Sequence, residues 1–397
     1  MADQQAATLN ANPPRGAWWN DAKVRGIIYQ IVAFTAVALF VWWVIGNTVE
    51  NLRRANIASG FGFLGGRAGF DVSESLIPFS SDSTYGRAFV VGILNTLYVA
   101  ALGIIFATVV GFLVGVGRLS RNYIIRQICT VYVEVFRNIP PLLVIFFWYI
   151  GVLSALPQVR QSLSLGPLGY LNNRGFFFTR PVWGENAWLI LAALVIAITG
   201  VIAMRRWARK RQLATGLQFP VLRYSLGLIF GLPLIAFLAT GMPLTFEFPE
   251  LGGFNLRGVT QVKPEFLALL LALSLYTASF IAEIVRAGIL GVSKGQSEAA
   301  HALGFRHNLT LRLVIVPQAL RIIIPPLTSQ YLNLTKNTSL AIAVGYPDLV
   351  AVGGTVLNQT GQSVEVVAIW MAVYLTLSLL TSMLMNWFNA RVALVER

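Results

Sequence analysis

Two short runs place a carboxylate and a guanidinium three residues apart inside otherwise apolar stretches: Glu134 with Arg137, and Glu283 with Arg286. Residues at that spacing share one face of a helix. Ionisable groups inside a membrane span are costly and mark function by default. Such a pair could accept the ammonium of a zwitterion and donate to its carboxylate. It could also pass a proton, or close on itself and fix its helix. Asn95, Thr96, Asn337, Thr338 and Ser339 are the other polar side chains placed to line a path through apolar segments. The seven polar residues outside the arginines, together with Arg137, are the candidate substrate pathway; contact with substrate and a structural or coupling role both remain open for them. The two histidines, His301 and His307, have no cysteine or carboxylate cluster beside them and read as surface residues, so no metal site is expected. No G-x-x-x-x-G-K-[ST] phosphate loop occurs, and the glycines between 60 and 69 lack the Lys-Ser/Thr that would complete one. No catalytic residue and no cofactor are expected in this chain, which is not read as an enzyme.

The elements that must position these residues are membrane helices. Of 397 residues 56% are hydrophobic and 12% charged, about half the charge of a soluble domain. Apolar runs near ~20 residues, the length that crosses a bilayer, recur at 27–45, 88–116, 128–153, 187–204, 224–240, 264–285, 313–334 and 366–387. This predicts an all-α polytopic protein of about eight transmembrane helices. The first run is long for a signal peptide and ends in Trp42, Trp43 and Ile45 without a small-x-small cleavage site. Trp18 and Trp19 suit a membrane interface. Gly103, Gly111, Gly115 and Gly117 recur at helical spacing and predict close helix packing. Pro140 and Pro141 should break the third span, and Pro317, Pro325 and Pro326 should bend the seventh. Residues 47–86, 154–186 and 241–263 read as loops. The net charge of +14 reflects topology rather than nucleic acid: 19 of the 30 Lys and Arg fall in 1–26, 117–126, 205–223, 286–321 and 388–397, against 10 in the opposite loops. The excess puts both termini in the cytoplasm. The run 205–211 is its densest part. Cys129 reads as a small buried hydrophobe.

Residues 293–317 form a polar stretch between the sixth and seventh apolar runs. Ser293 and Gln296 stand at capping-box spacing, good helix formers follow, and Gly304 sits where the helix should stop in a left-handed conformation. So short a helix needs a partner surface, and Ala299, Ala300 and Ala302 give it a low profile. Glu298, Ala299 and Ala300, then Gly304 six residues after the glutamate and Pro317 thirteen after the glycine, resemble the EAA loop of bacterial ABC-importer permeases. Val314 and Val316 stand where that pattern has Ile and Leu. Residues 134–141 resemble the E-x-F-R-x-x-P signature of polar amino-acid permeases; 282–288 and 336–340 resemble that family's A-E-x-x-R-x-G and K-[DN]-T-S-L runs, and 92–97 the start of its core.

The resemblance implies a type I ABC-importer permease core of five helices, plus three extra. It divides the chain into 1–85 (tail, extra helix and periplasmic loop), 86–153 (first part of the core), 154–263 (an insertion with two extra helices) and 264–397 (second part of the core with the coupling loop). The enlarged plan is similar to the general L-amino-acid uptake systems of Gram-negative bacteria, the Aap/Bzt group. It implies an L-amino-acid permease of the bacterial inner membrane, surrounded by membrane lipid. Its partners would be a second homologous permease, an ABC ATPase dimer carrying ATP and Mg, and a periplasmic amino-acid-binding protein. Ser297, Glu298, Ala299, Ala300, Gly304 and Pro317 would couple to the ATPase. The inserted pair would enlarge the permease interface or shield the core from lipid. The rival reading is an ion-coupled secondary amino-acid transporter with Glu134 or Glu283 as its proton site.

Overall fold

The computed structural model describes residues 22–54, 60–248, 250–252, 255–257 and 259–392. Trp18, Trp19 and the ends of both terminal tails lie outside them. Helices dominate: α1 Ala22–Arg54, α2 Tyr85–Gly117, α3 Tyr123–Asn138, α4 Pro141–Phe146, α5 Trp188–Thr215, α6 Val221–Ala239, α7 Pro264–Leu290, α8 Lys294–Ala302, α9 His307–Thr310, α10 Val316–Asn337, α11 Leu349–Thr360 and α12 Ser363–Val392. Among the described residues seven helical stretches are long and apolar enough to cross a membrane, or eight if the bent pair formed by α3 and the α4 segment is one span.

The chain resolves into two compact units. One comprises the described residues up to Val72 with Pro78–Val90 and Val352–Val373. In it α1 is exposed along its length, and the Glu365 carboxylate accepts the Gly60 amide at 2.6 Å. The other comprises Ser73–Ile77, Val91–Ala351 and Tyr374 onward. Its core is a dry cluster built on Val99, Leu269, Leu273, Ile281, Ile323 and Leu334, so residues from α2, α7 and α10 form its centre. Small residues let these helices close up. A Cβ on Gly115 would lie 2.7 Å from the Ala282 carbonyl and 2.8 Å from Val285 Cβ, and one on Gly288 would lie 2.3 Å from Ile323 Cγ1. Packing is therefore the role of the glycine run in α2.

Four expectations change in detail. The third span is not one rod: α3 stops at Asn138, Ile139 is extended, and α4 starts afresh on Pro141 and continues as a π turn, Phe147–Leu153, the axes differing by 113°. Adjacent prolines remove two backbone donors, which is why the ladder cannot continue. The seventh span is less disturbed than its three prolines predict. Pro317 occupies the first turn of α10, where its missing N–H is harmless, and α10 runs through Pro325 and Pro326; the irregularity lies before them, in the π turn Leu311–Ile315. The basic run 205–211 is helical, because α5 carries on to Thr215 and ends on Gly216 in the left-handed region. The segments 154–186 and 241–263 form β structure: β1 Leu163–Ser164, β2 Gly169–Asn172, β3 Gly175–Trp183, β4 Leu244–Glu247, β5 Glu250–Gly252, β6 Asn255–Arg257 and β7 Val259–Val262. Strands β1 to β4 pair in sequence order, β7 joins β3, and all pairings are antiparallel. β5 and β6 make a separate hairpin.

Candidate functional site

The polar interruption folds as a helix-turn-helix knob between α7 and α10. α7 ends at Leu290, and α8 starts after Ser293, which has non-helical cap dihedrals but makes no side-chain cap bond. The expected capping box does not form. Gln296 reaches the other flank instead, its Oε1 accepting from Gln318 Nε2 on α10 at 3.2 Å. This contact ties the knob to the span that follows it. Gly304 closes the helix as expected, at φ +78°, with its amide donating to the His301 carbonyl at 2.9 Å and the Phe305 amide to the Ala300 carbonyl at 3.0 Å. Those bonds satisfy carbonyls that a helix end leaves orphaned. Ala300 faces inward at 3% exposure. Ser297 is half-buried, whereas Glu298, Ala299, Ala302 and Pro317 are exposed and Leu303 is 77% exposed. The outer face is thus a small apolar platform with one carboxylate. His301 and His307 stack ring on ring with centroids 6.4 Å apart, and no group of metal-binding residues forms among the described residues.

Next to this knob, four charges from three helices meet. Arg118, at the end of α2, donates from Nη1 to Glu283 Oε2 and lies 3.7 Å from Glu134 Oε1 through Nη2. Arg286 grips the same Glu283 with two bonds, Nη2 to Oε1 at 2.6 Å and Nε to Oε2 at 3.2 Å. The guanidinium fork matches a carboxylate in just this two-bond manner. The structure therefore brings Glu134 and Glu283 together, but through Arg118, which the sequence reading left among loop arginines. Its side chain is only 10% exposed. The signal was present in Gly115 and Gly117: a helix surface bare enough to touch α7 carries the next residue in with it. Glu134 and Arg137 do not meet each other. Glu134 is 59% exposed and turned to Arg118, while Arg137 lies over the Phe280 ring, 5.5 Å from its centroid.

The remaining pathway candidates lie elsewhere in the core and serve it. Asn95 Nδ2 donates to the Glu74 and Pro347 carbonyls at 2.8 and 2.9 Å. Thr96 Oγ1 accepts the Leu349 amide at 3.1 Å. Thr338 is fully buried and donates to the Thr335 carbonyl; Ser339 donates to that of Lys336. Asn337 is half-buried at the end of α10. The Tyr374 hydroxyl is shared among Thr96, Thr338 and Asp348. Asp348, in the turn before α11 and outside the spans, caps that helix by accepting the Ala351 amide at 2.8 Å. Burial pushes its carboxyl up to about 6. Sequence reasoning passed over Asp348 because a single Asp before a short apolar run looks like an ordinary turn residue.

The family model "Binding-protein-dependent transport system inner membrane component" matches residues 220–394. The general L-amino acid transport system permease protein AapQ of Rhizobium johnstonii is 62% identical, over 98% of this chain and 99% of that protein. The putative amino-acid ABC transporter permease protein YhdX of Escherichia coli is 50% identical, over 98% and 96%. The glutamate/glutamine/aspartate/asparagine transport system permease protein BztB of Rhodobacter capsulatus is 41% identical, over 98% and 100%. These matches run the length of the chain and give no support to an ion-coupled carrier.

Proposed function

This chain belongs to the permeases of general L-amino-acid ABC transport systems, and on that premise we propose how its parts divide the work. It is the membrane-spanning permease subunit of an ATP-driven importer of L-amino acids, a type I helical membrane protein. Residues 86–153 and 264–397 supply the transporting core, 154–263 are an insertion, and 1–85 add a helix ahead of it. The coupling loop faces the cytoplasm, as do both termini, in the bacterial inner membrane. There α8 seats in a cleft of an ATP-hydrolysing subunit, which carries the ATP and Mg. A second homologous permease completes the pathway, and a periplasmic binding protein delivers the amino acid.

One observation carries this reading: α8 presents Glu298, Ala299, Ala302 and Leu303 outward while it is held from behind by Ala300 and by the Gln296–Gln318 bond. A marginal helix with a bare small-residue face is built to be completed by another surface. Displacement of α8 passes to α10 through Gln318 and to α7 through the short joint at Gly291–Ser293. The Arg118 knot holds α2 and α3 to the same end of α7, so the core responds as a body rather than helix by helix. This is gating by rigid elements. Among the pathway candidates, Glu134, Arg137 and Glu283 belong to this cytoplasmic lock. The test is purification of the tagged chain from its native membrane, with mass spectrometry of the proteins that accompany it, followed by reconstitution. An ATPase with a phosphate loop, a second permease and ATP-dependent uptake of L-amino acids are expected. A solitary chain whose uptake follows an ion gradient would overturn the reading.

A further inference from the structure

The inserted helix pair ends in a concentrated positive charge. The spans α5, α6 and α7 follow one another, so the C-terminus of α5, the N-terminus of α6 and the C-terminus of α7, which leads into the coupling loop, share one side. That end of the pair carries Arg205, Arg206, Arg209, Lys210, Arg211 and Arg223, and no Asp or Glu occurs between Glu185 and Glu247. None of the six cations has an ion pair among the described residues. Charges of one sign gathered without counter-charge repel one another and attract an anionic partner.

Their placement on α5 says which partner. One face of this helix is covered: Ala193, Ala197, Val201 and Ala208 are buried, and α5 packs against α6. The opposite face is open. Leu191, Val195, Ile198 and Ile202 stand on it at intervals of four, three and four residues and are 67%, 62%, 46% and 48% exposed. Arg205, Arg206, Arg209 and Lys210 continue the same stripe at the same spacing, and all four are exposed. From Trp188 to Arg205 the helix rises about 26 Å, and from Arg205 to Arg211 about 9 Å more. A bilayer has a hydrocarbon core about 30 Å thick and headgroup layers of about 5–8 Å. The apolar part of the stripe therefore lies at the depth of acyl chains and the basic part at the depth of phosphates, on one continuous surface. Membrane orientation accounts for the sign of these charges but not for their place on the exposed stripe.

The basic turns are also held in position. α5 ends on Gly216 at φ +72°, whose amide donates to the Gln212 carbonyl at 2.9 Å. Trp207 meets Phe219 edge-on at 5.3 Å, Phe219 stacks on Tyr224 of α6 at 4.8 Å, and the Arg211 guanidinium lies 5.4 Å from the Trp207 ring centroid. This aromatic clamp ties the two helices together where such rings favour the lipid–water boundary. A rigid basic end that prolongs an open apolar stripe matches a molecule with apolar chains and an anionic headgroup.

We propose that the open face of α5 is a binding site for anionic phospholipid of the leaflet on the coupling-loop side, with acyl chains along Leu191–Ile202 and the phosphate at Arg205, Arg206, Arg209 and Lys210. The insertion then keeps acidic lipid against the transporter. The test uses the full-length protein in nanodiscs doped with phosphatidylglycerol or phosphatidylethanolamine whose acyl chain carries a diazirine. After illumination, labelled peptides are quantified by mass spectrometry. The reference is the exposed stripe Leu375, Leu379 and Met383 of α12, a helix with one arginine, Arg391, in its last turn. The ratio of phosphatidylglycerol to phosphatidylethanolamine label on α5 should exceed that on α12 about fivefold or more. In Arg205→Gln/Arg206→Gln/Arg209→Gln/Lys210→Gln it should fall to the α12 value, whereas Arg205→Lys/Arg206→Lys/Arg209→Lys should keep it. If the fourfold variant does not insert, Arg206→Gln/Lys210→Gln should still lower the ratio about twofold or more. Equal ratios on α5 and α12 in the wild type would overturn the proposal, and so would a preference that survives the glutamine substitutions. An α5 stripe that takes label from neither lipid, and cross-links instead to a co-purified subunit, would make this face a protein contact and refute the lipid site. None of these readouts depends on ATP-driven uptake, so failure here is distinct from failure of the proposed function.

Discussion

Replacing Gly304 separates a requirement for backbone conformation from a requirement for space. Gly304 holds φ +78°, and a Cβ built on it meets nothing within 4 Å in this chain. Any loss on substitution therefore comes from the left-handed conformation itself, at roughly 1–2 kcal/mol for an ordinary L-residue, which is a factor of about 5–30 in the population of the turn. A β-branched residue should fare worst at positive φ, and asparagine, which tolerates this region, should fare best. The expected order is Gly304→Asn close to wild type, Gly304→Ala reduced, Gly304→Val reduced most. The assay is uptake per ATP hydrolysed by the reconstituted complex, with assembly checked by co-purification of the ATPase. Uptake per ATP should drop about fivefold or more in the valine variant, while basal hydrolysis persists, because the two carbonyls that cap α8 lose geometry without unfolding the core. If alanine, valine and asparagine behave alike, the φ argument fails. Equal full activity would mean the turn is dispensable, and equal loss would mean that a partner surface needs the bare Cα.

Three other perturbations follow from the geometry. Arg118→Met removes a charge-assisted bond to Glu283 at a site 10% exposed; such bonds are worth about 1.5–3 kcal/mol, so the melting temperature in nanodiscs should fall, and a further Glu283→Gln should recover part of the loss in a double-mutant cycle. Additive losses would show that Arg118 and Glu283 are not coupled. Asp348 has its pKa raised from 3.8 to about 6 by burial, so its ionisation opposes folding: the penalty is absent below about pH 3.8, grows as pH rises, and is complete above about pH 6, reaching about 3 kcal/mol. Asp348→Asn should flatten the fall in thermal stability between about pH 4 and pH 6, and an unchanged slope would assign that fall to other groups. Gly115→Leu forces atoms into the 2.7 Å gap to the Ala282 carbonyl and should cost about 1–3 kcal/mol or more; normal expression and melting would deny that α2 and α7 touch here.

The membrane class, the limits of most spans and the left-handed Gly304 were legible because each rests on a local rule: run length, or the conformational freedom of one residue type. The β sheet was not. Phe176, Phe177 and Phe178 in succession have no alternation of polar and apolar residues, so a strand with Phe177 covered and its neighbours on the open face looks like a greasy loop. The capping box failed for a related reason. Spacing made Ser293 and Gln296 partners, but α10 offered Gln318, and a tertiary contact displaced the local one.

The charge knot shows the limit most clearly. Read along the chain, Glu134–Arg137 and Glu283–Arg286 are two equivalent pairs at identical spacing. In space only the second pair closes, with two bonds between Arg286 and Glu283. The first is split, because Arg118 arrives from α2 and takes Glu134 while Arg137 turns to Phe280. Local spacing permits a pair; it does not say which partner will be nearer once helices pack. What decides here is Gly115, whose missing side chain lets α2 lie on Ala282 and Val285 and so delivers Arg118 one turn later to Glu283. The charge knot thus depends on a glycine contact between α2 and α7. A Gly115 variant that still folds should lose the Arg118–Glu283 coupling energy as well as packing, so the double-mutant cycle at 118 and 283 should read close to zero in a Gly115→Ala background. A coupling energy unchanged by Gly115→Ala would separate the charge knot from the helix contact and refute this dependence.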